Sequence, residues 1–222
     1  MSTEILNFLL NGWSNRINYR TVKIATPPND IKMRELILHI AQQSESDGKF
    51  GAVKLNKILF YADFISFLRR GKSITGLEYF ALSEGPAPRQ MLPIINSMKK
   101  NGDIAIQKIN IGLPNPKSKI IALRDPDYTK LEAADIVIVD EIIKRFWNKT
   151  GTDLTKISHE FSGWLDAFYN GGEKTTIPYS AAKFDISGFE FLGVENFQLS
   201  GKMIEHGRQI AKKFSKPALA CA

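Results

Sequence analysis

The stretch from Ala52 to Arg70 constrains the fold more than any other part of the chain. Leu55, Ile58, Leu59, Ala62 and Ile65 form one helical stripe, and Phe60, Phe64, Phe67 and Leu68 widen it beyond a single face. Gly71 follows, a residue able to take the left-handed conformation that ends a helix. A helix apolar around so much of its surface is stable in water only if other elements wrap it. The sequence therefore predicts a central helix with the rest of the domain packed around it. With 222 residues, 43% of them hydrophobic, the chain has material for such a core.

Flanking patterns supply the wrapping elements. Asp30 is placed to cap a helix carrying Met33, Leu36, Ile37, Ile40 and Ala41, which ends in the polar run 42–48. Beyond the central helix, Leu77 to Leu82 reads as a short strand. The prolines of Ser83-Glu84-Gly85-Pro86-Ala87-Pro88 suit the first turn of a helix, one that buries Met91, Leu92, Ile94, Ile95 and Met98 and stops at Asn101-Gly102. A hairpin is expected next, with Ile104, Ile106 and Ile109 on one arm and 120–123 on the other. A long helix over about 131–149 offers Val137, Ile138, Ile142, Phe146 and Trp147 to the core, and Gly151 closes it. Asp153 is placed to cap a short helix through His159, and another helix carries Trp164, Phe168 and Tyr169. The segment 186–197 has no assignable pattern. A last amphipathic helix spans about 201–214. The expected fold class is α+β and mainly α-helical, with a small β-hairpin or short antiparallel sheet. Three parts are expected: an appendage at 1–28, a helical domain at 29–199, and a basic helix and tail at 200–222. Within the appendage, Ile5, Leu6, Leu9 and Leu10 suggest a short amphipathic helix and 19–24 a short strand, before Pro27-Pro28 interrupts regular structure.

Several functional classes find no support. The single cysteine, Cys221, allows no intrachain disulfide or multi-cysteine zinc site and fits a reducing, cytoplasmic setting. Ile5 to Leu10 lacks the flanking features of a secretory signal, and no stretch is long and apolar enough to span a bilayer. His39, His159 and His206 stand far apart, without a ligand partner at helical spacing. Neither a phosphate-cradling glycine loop nor a strained nucleophile turn occurs. Joining His159, Asp63 and Ser83 into a catalytic group has no support in their spacing. The expectation is a non-enzymatic protein without cofactor or metal. Its formal charge of +7 favours acidic partners, although an excess of this size is common on soluble proteins.

One pattern goes further. Lys54-Leu55-Asn56-Lys57-Ile58-Leu59-Phe60-Tyr61-Ala62 resembles the signature helix of the Panacea domain, the antitoxin domain also called SocA-like. In the order that family shows, a glycine-bounded segment from Gly71 to Gly76 follows, then the strand, then Gly85-Pro86. Downstream come Ser158-His159, Trp164 and Ile177-Pro178. The resemblance spans about 31–179. Ser83-Glu84 stands where the family usually has an aromatic, and Ala87-Pro88 where valine is common.

The resemblance implies an antitoxin that binds and blocks a toxic protein partner, and for some members an adaptor that delivers the toxin to an ATP-dependent protease. It also implies that flanking segments choose the toxin. That points to Ile5, Leu6, Leu9 and Leu10, which either anchor in a partner groove or cover the domain's own core, and to the basic C-terminal helix with Lys212 and Lys213. The small apolar tail 218–222 looks like a protease-recognised terminus. Most signature residues read as fold-keeping: Leu55, Leu59, Tyr61, Ala62, Gly85, Pro86, His159, Trp164, Ile177 and Pro178. Lys54 and Lys57 read either as the solvated rim of the central helix or as partners for acidic groups of another protein, with the rim the simpler reading. The alternative function is a winged-helix-like regulator. It would use the helix ending at Lys99-Lys100 and a wing carrying Lys108, Lys117 and Lys119 to bind nucleic acid.

Overall fold

A computed structural model describes residues 28–109, 117–184, 189 and 199–214. The protein is mainly helical with small antiparallel sheets. Helix α1 (Asp30–Gln43) is capped by Asn29, whose side chain accepts from Lys32 N at 2.9 Å; Asp30, the expected cap, is the first helical residue. Helix α2 (Ala52–Arg70) ends at Gly71 in the left-handed conformation, as its sequence predicts.

Helix α2 occupies the centre. Leu55, Ile58, Leu59, Phe60, Tyr61, Ala62, Phe64 and Ile65 are at most 1% exposed. At about 1.5–3 kcal/mol for each large side chain buried, this helix carries much of the driving force for folding. One face meets a nest of rings formed by Phe60, Phe64, Tyr79, Phe161, Tyr179 and Phe189, with centroids between 4.3 and 6.5 Å. Phe189 thus ties part of the unassigned 186–197 stretch to the core; the rest of that stretch lies outside the described residues.

The prolines after the first strand do not open a helix. Strand β1 (Tyr79–Leu82) turns through Ser83 and Glu84 into strand β2 (Gly85–Pro88). Pro86 and Pro88 recur at strand period 2, and the turn glycine before them closes a two-residue hairpin. Helix α3 (Met91–Lys100) starts later, with Pro93 in its first turn, where the lost N–H has no helical acceptor. It buries Ile94, Ile95 and Met98 but leaves Leu92 68% exposed, against expectation.

Strands β3 (Ile104–Ile109) and β4 (Lys117–Ala122) form the expected hairpin, pairing Ile104 with Ala122 and Ile109 with Lys117. After a 3-10 turn (Tyr128–Lys130) comes helix α4 (Ala133–Phe146). Val137, Ile138, Ile142 and Phe146 are buried; Trp147, at the helix end where the chain becomes extended, is turned outward and 39% exposed. Gly151 does not close α4 but begins helix α5 (Gly151–Ser158). Its cap is Thr150, and Asp153 answers from the third position by accepting from Thr150 N at 2.8 Å. Helix α6 (Ser162–Leu165) continues into a π-helical turn (Asp166–Asn170).

Strand β5 (Thr176–Ile177) pairs with β1 to complete the order β2-β1-β5. The short helix α7 (Ala181–Phe184) follows. Helix α8 (Gly201–Phe214) packs along α4; a side chain at Gly207 would run into the backbone carbonyl of Ala133, so glycine permits the approach.

Candidate partner-binding site

The signature residues from distant parts of the chain gather around the β1–β2 turn. Arg89 N donates to Glu78 O at 2.9 Å, which sets the hydrogen-bonding alternation of the hairpin. Positions 80/87 and 82/85 then exchange hydrogen bonds, whereas 79/88 and 81/86 do not. Pro86 and Pro88 therefore direct their nitrogens away from β1, where no donor is needed. The outward carbonyls still require donors, and β2 is an edge strand. Lys57 supplies them: its Nζ donates to Glu84 O and, at 3.5 Å, reaches Pro86 O. Gly85 has φ +93°, and a Cβ there would collide with Lys57 Nζ and Ser158 Oγ. Glycine is thus required for both the turn and the lysine's entry.

From the other side, Thr155 Oγ1 donates to Glu84 O at 3.2 Å and Trp164 Nε1 donates to Leu82 O at 3.1 Å. His159 ends α5, and its ring lies flat on Trp164 with centroids 3.8 Å apart and planes 8° from parallel. Burial and the nearby Lys57 lower the affinity of His159 for a proton. Ile177, in β5, pairs with Tyr79 of β1, and Pro178 follows directly. Lys57, Gly85, Pro86, His159 and Trp164 are therefore brought together, with Ile177 on the far edge of the same sheet.

Neither signature lysine lies on a solvated rim. Both are 1% exposed. Lys54 Nζ donates to Asp47 Oδ2 at 2.6 Å and to Phe146 O at 2.9 Å, binding the α1–α2 connection and the end of α4 to the central helix. Burial lowers its pKa despite the carboxylate, and it lowers that of Lys57 to about 7. The neighbours Val53 and Leu55 of Lys54, and Asn56 and Ile58 of Lys57, give no sign of either lysine's burial; the acceptors that make it possible lie 7 and 92 residues from Lys54, at Asp47 and Phe146 O, and 27 and 29 residues from Lys57, at Glu84 O and Pro86 O.

A third buried polar centre had no forewarning. Asp63 Oδ1 accepts from Ile74 N at 2.8 Å and Thr75 N at 2.7 Å, and Oδ2 accepts from Thr75 Oγ1 and from Tyr79 OH at 2.8 Å. Full burial nevertheless raises its pKa. The group joins the 72–79 connection to α2. Ser83 and His159 belong to the β1–β2 turn cluster and not to this hub, so the trio His159, Asp63 and Ser83 forms no catalytic group. Among the described residues, no three His, Cys, Asp or Glu side chains converge into a metal-sized cluster.

The outer side of this scaffold carries an apolar groove of about 560 Å³. Its floor and walls include Leu55 and Asn56 from α2, Phe80 from β1, Ala87 from β2, Leu92 from α3 and Ile106 from β3. Arg89, Lys99 and Lys108 stand in its lining, and no acidic residue does among the described residues. Sequence reasoning missed this feature by assigning Leu92 to the core.

Other anticipated contact residues lie elsewhere. Ile5, Leu6, Leu9 and Leu10 fall outside the described residues, as do 19–24 and the 218–222 tail. Lys212 is exposed on α8, and Lys213 lies outside the described side chains. Lys117 and Lys119, expected on a wing, donate to Gly48 O at 2.8 Å and Glu45 O at 2.6 Å. No helix among the described residues is long and apolar enough to cross a membrane.

A central helix with buried lysines, a glycine-proline hairpin and a stacked histidine–tryptophan pair define a helical scaffold that, among the described residues, carries an open apolar groove. A family model described as the antitoxin SocA-like, Panacea domain matches residues 55–165, half of the chain. The chain belongs to the SocA-like Panacea antitoxin family. Neither a curated protein nor a solved structure matches it.

Proposed function

We propose that this protein is an antitoxin that neutralises a cognate toxin by direct contact, without catalysis. The observation that carries the reading is the division of labour in the fold. The family's polar signature groups, Lys54, Lys57 and Trp164, spend their hydrogen bonds on the protein's own carbonyls and on Asp47, so they maintain a platform. Partner recognition then belongs to surfaces other than these polar signature groups: the groove, the 1–28 segment with Ile5, Leu6, Leu9 and Leu10, and the basic α8 with Lys212 and Lys213. Delivery of the bound toxin to an ATP-dependent protease is a second step open to such a platform, and a cytoplasmic site of action goes with it.

The nucleic-acid reading is less favoured. Two of its three wing lysines are engaged by carbonyls of the α1–α2 connection, and a hairpin separates α2 from α3 where a winged helix has a short turn. The test is co-expression with the product of the adjacent reading frame. Growth rescued by this chain, with co-purification of the two proteins, is the expected outcome. A toxic neighbour that is neither rescued nor bound would refute the reading.

A further inference from the structure

The groove specifies more than a generic greasy contact. We propose that it takes an amphipathic segment of the toxin whose apolar anchors are flanked by acidic residues; this assignment rests on the chain being a toxin-binding protein.

On the apolar side, Leu92 is 68% exposed on the first turn of α3, beside Phe80, Ala87 and Ile106. The helix has core positions at Ile94, Ile95 and Met98, so Leu92 adds nothing to its packing. An exposed leucine on the wall of a 560 Å³ apolar groove is placed to be covered by something else. The volume accommodates a few side chains presented at i, i+3 or i+4 and i+7.

Charge decides the occupant. Lys99 and Lys108 are exposed at the groove, and Arg89, although paired with Glu78 at 2.9 Å, adds to the same side. Among the described residues, no carboxylate lines it. The chain's own apolar segment at 5–10 is a poor match, because residues 1–27 carry Arg16, Arg20 and Lys23 against Glu4 alone. A second copy is disfavoured too, since two chains of formal charge +7 would bring like-charged groove rims together. A partner with carboxylates beside its anchors satisfies both the apolar wall and the lysines. The charges would act mainly on encounter rate and choice of partner, and the buried anchors on residence time.

The probes are two fluorescent helical peptides with identical leucines at i, i+3, i+4 and i+7, one flanked by glutamates and one by lysines, titrated against the full chain by anisotropy. The glutamate peptide is expected to bind about tenfold more tightly or better at low salt, and the gap is expected to shrink at about 0.5 M salt. Leu92→Glu should abolish binding of the glutamate peptide, and Lys99→Glu should reverse the preference. Both positions are exposed, and a circular dichroism melt confirms that each variant is folded. Binding of neither peptide, equal binding of both, or unchanged binding by folded Leu92→Glu overturns the proposal. Removing residues 1–27 from the chain supplies the last arm. Binding that strengthens about tenfold without them would identify the chain's own segment as the occupant and overturn the proposal; unchanged binding supports it. Growth rescue by the wild-type chain is scored separately. Rescue that survives Leu92→Glu rejects the groove while leaving the antitoxin reading intact; absence of rescue by wild type rejects that reading itself.

Discussion

Two neighbouring regions of this protein reverse the ordinary placement of charge and grease. Along α2, Lys57 is buried against the β1–β2 hairpin and Lys54 against Asp47 and the end of α4, both at 1% exposure. On the groove that Phe80 of β1 and Ala87 of β2 help to line, Leu92 stands in water. The difference lies in whether each group has its complement within the chain. The lysines find carbonyls and a carboxylate, so their burial is tolerable and their geometry is fixed. Leu92 finds no further apolar surface to cover it among the described residues. A side chain complete within its own fold serves the scaffold, and one left incomplete points outward to a partner.

The largest test strikes the helix that both regions share. Leu59→Asp sets a carboxylate with no partner into the centre of α2, where Leu59 is 1% exposed. We expect a loss of about 5 kcal/mol or more, which exceeds the stability of many small domains. The variant should be insoluble or lack a cooperative thermal transition. A soluble variant with a wild-type melt would show that α2 is not the central strut.

Next in size is the buried ion pair. Lys54→Met leaves the Asp47 carboxylate, itself 2% exposed, without its main counter-charge. A cost of about 3–5 kcal/mol is expected from urea unfolding, with much of it recovered in the Lys54→Met/Asp47→Asn double variant. If the single variant lost less than about 1 kcal/mol, the pair would be no more than a surface contact and the contrast with the groove would weaken.

These contrasts also mark where sequence was readable. The α2 stripe, its Gly71 stop, the β3–β4 hairpin and the amphipathic α8 were all legible, because periodicity and stop signals are local. Pro86 and Pro88 were misread because a proline pair at period 2 serves a helix start and an edge strand alike; only the pairing with β1 tells them apart. Lys54 and Lys57 were misread because burial of a charge depends on distant acceptors. Leu92 failed for the converse reason: helical spacing gives the direction of a side chain but not whether any element lies opposite. The signature cluster was therefore legible as a list of residues and not as an arrangement, and the groove was not legible at all.

Lys57 offers a pH-dependent test of the same contrast. Its pKa falls from 10.5 to about 7 on folding. Below pH 7 both states hold the proton, and the folded state carries the full penalty of the buried ammonium. As the pH rises toward 10.5, the unfolded chain keeps the proton that the folded one sheds, so stability rises. Between pH 7 and 9 the gain attributable to Lys57 should be about 2 kcal/mol in urea unfolding. Lys54 shifts in the same direction and adds to it. Lys57→Met should show a shallower rise, and identical slopes for the two proteins would place Lys57 in water.

The smallest expected effect belongs to the groove, and its smallness is what makes it informative. Leu92→Ser removes a side chain that already faces solvent, so unfolding free energy should move by less than about 0.5 kcal/mol. Ile95→Ser, on the same helix but 8% exposed, should cost several times more, because it empties a packed site and buries a hydroxyl. If Leu92→Ser instead matched Ile95→Ser in cost, Leu92 would be covered by the chain itself in solution. The groove would then be closed, and the division between a finished scaffold and an unfinished binding face would no longer hold.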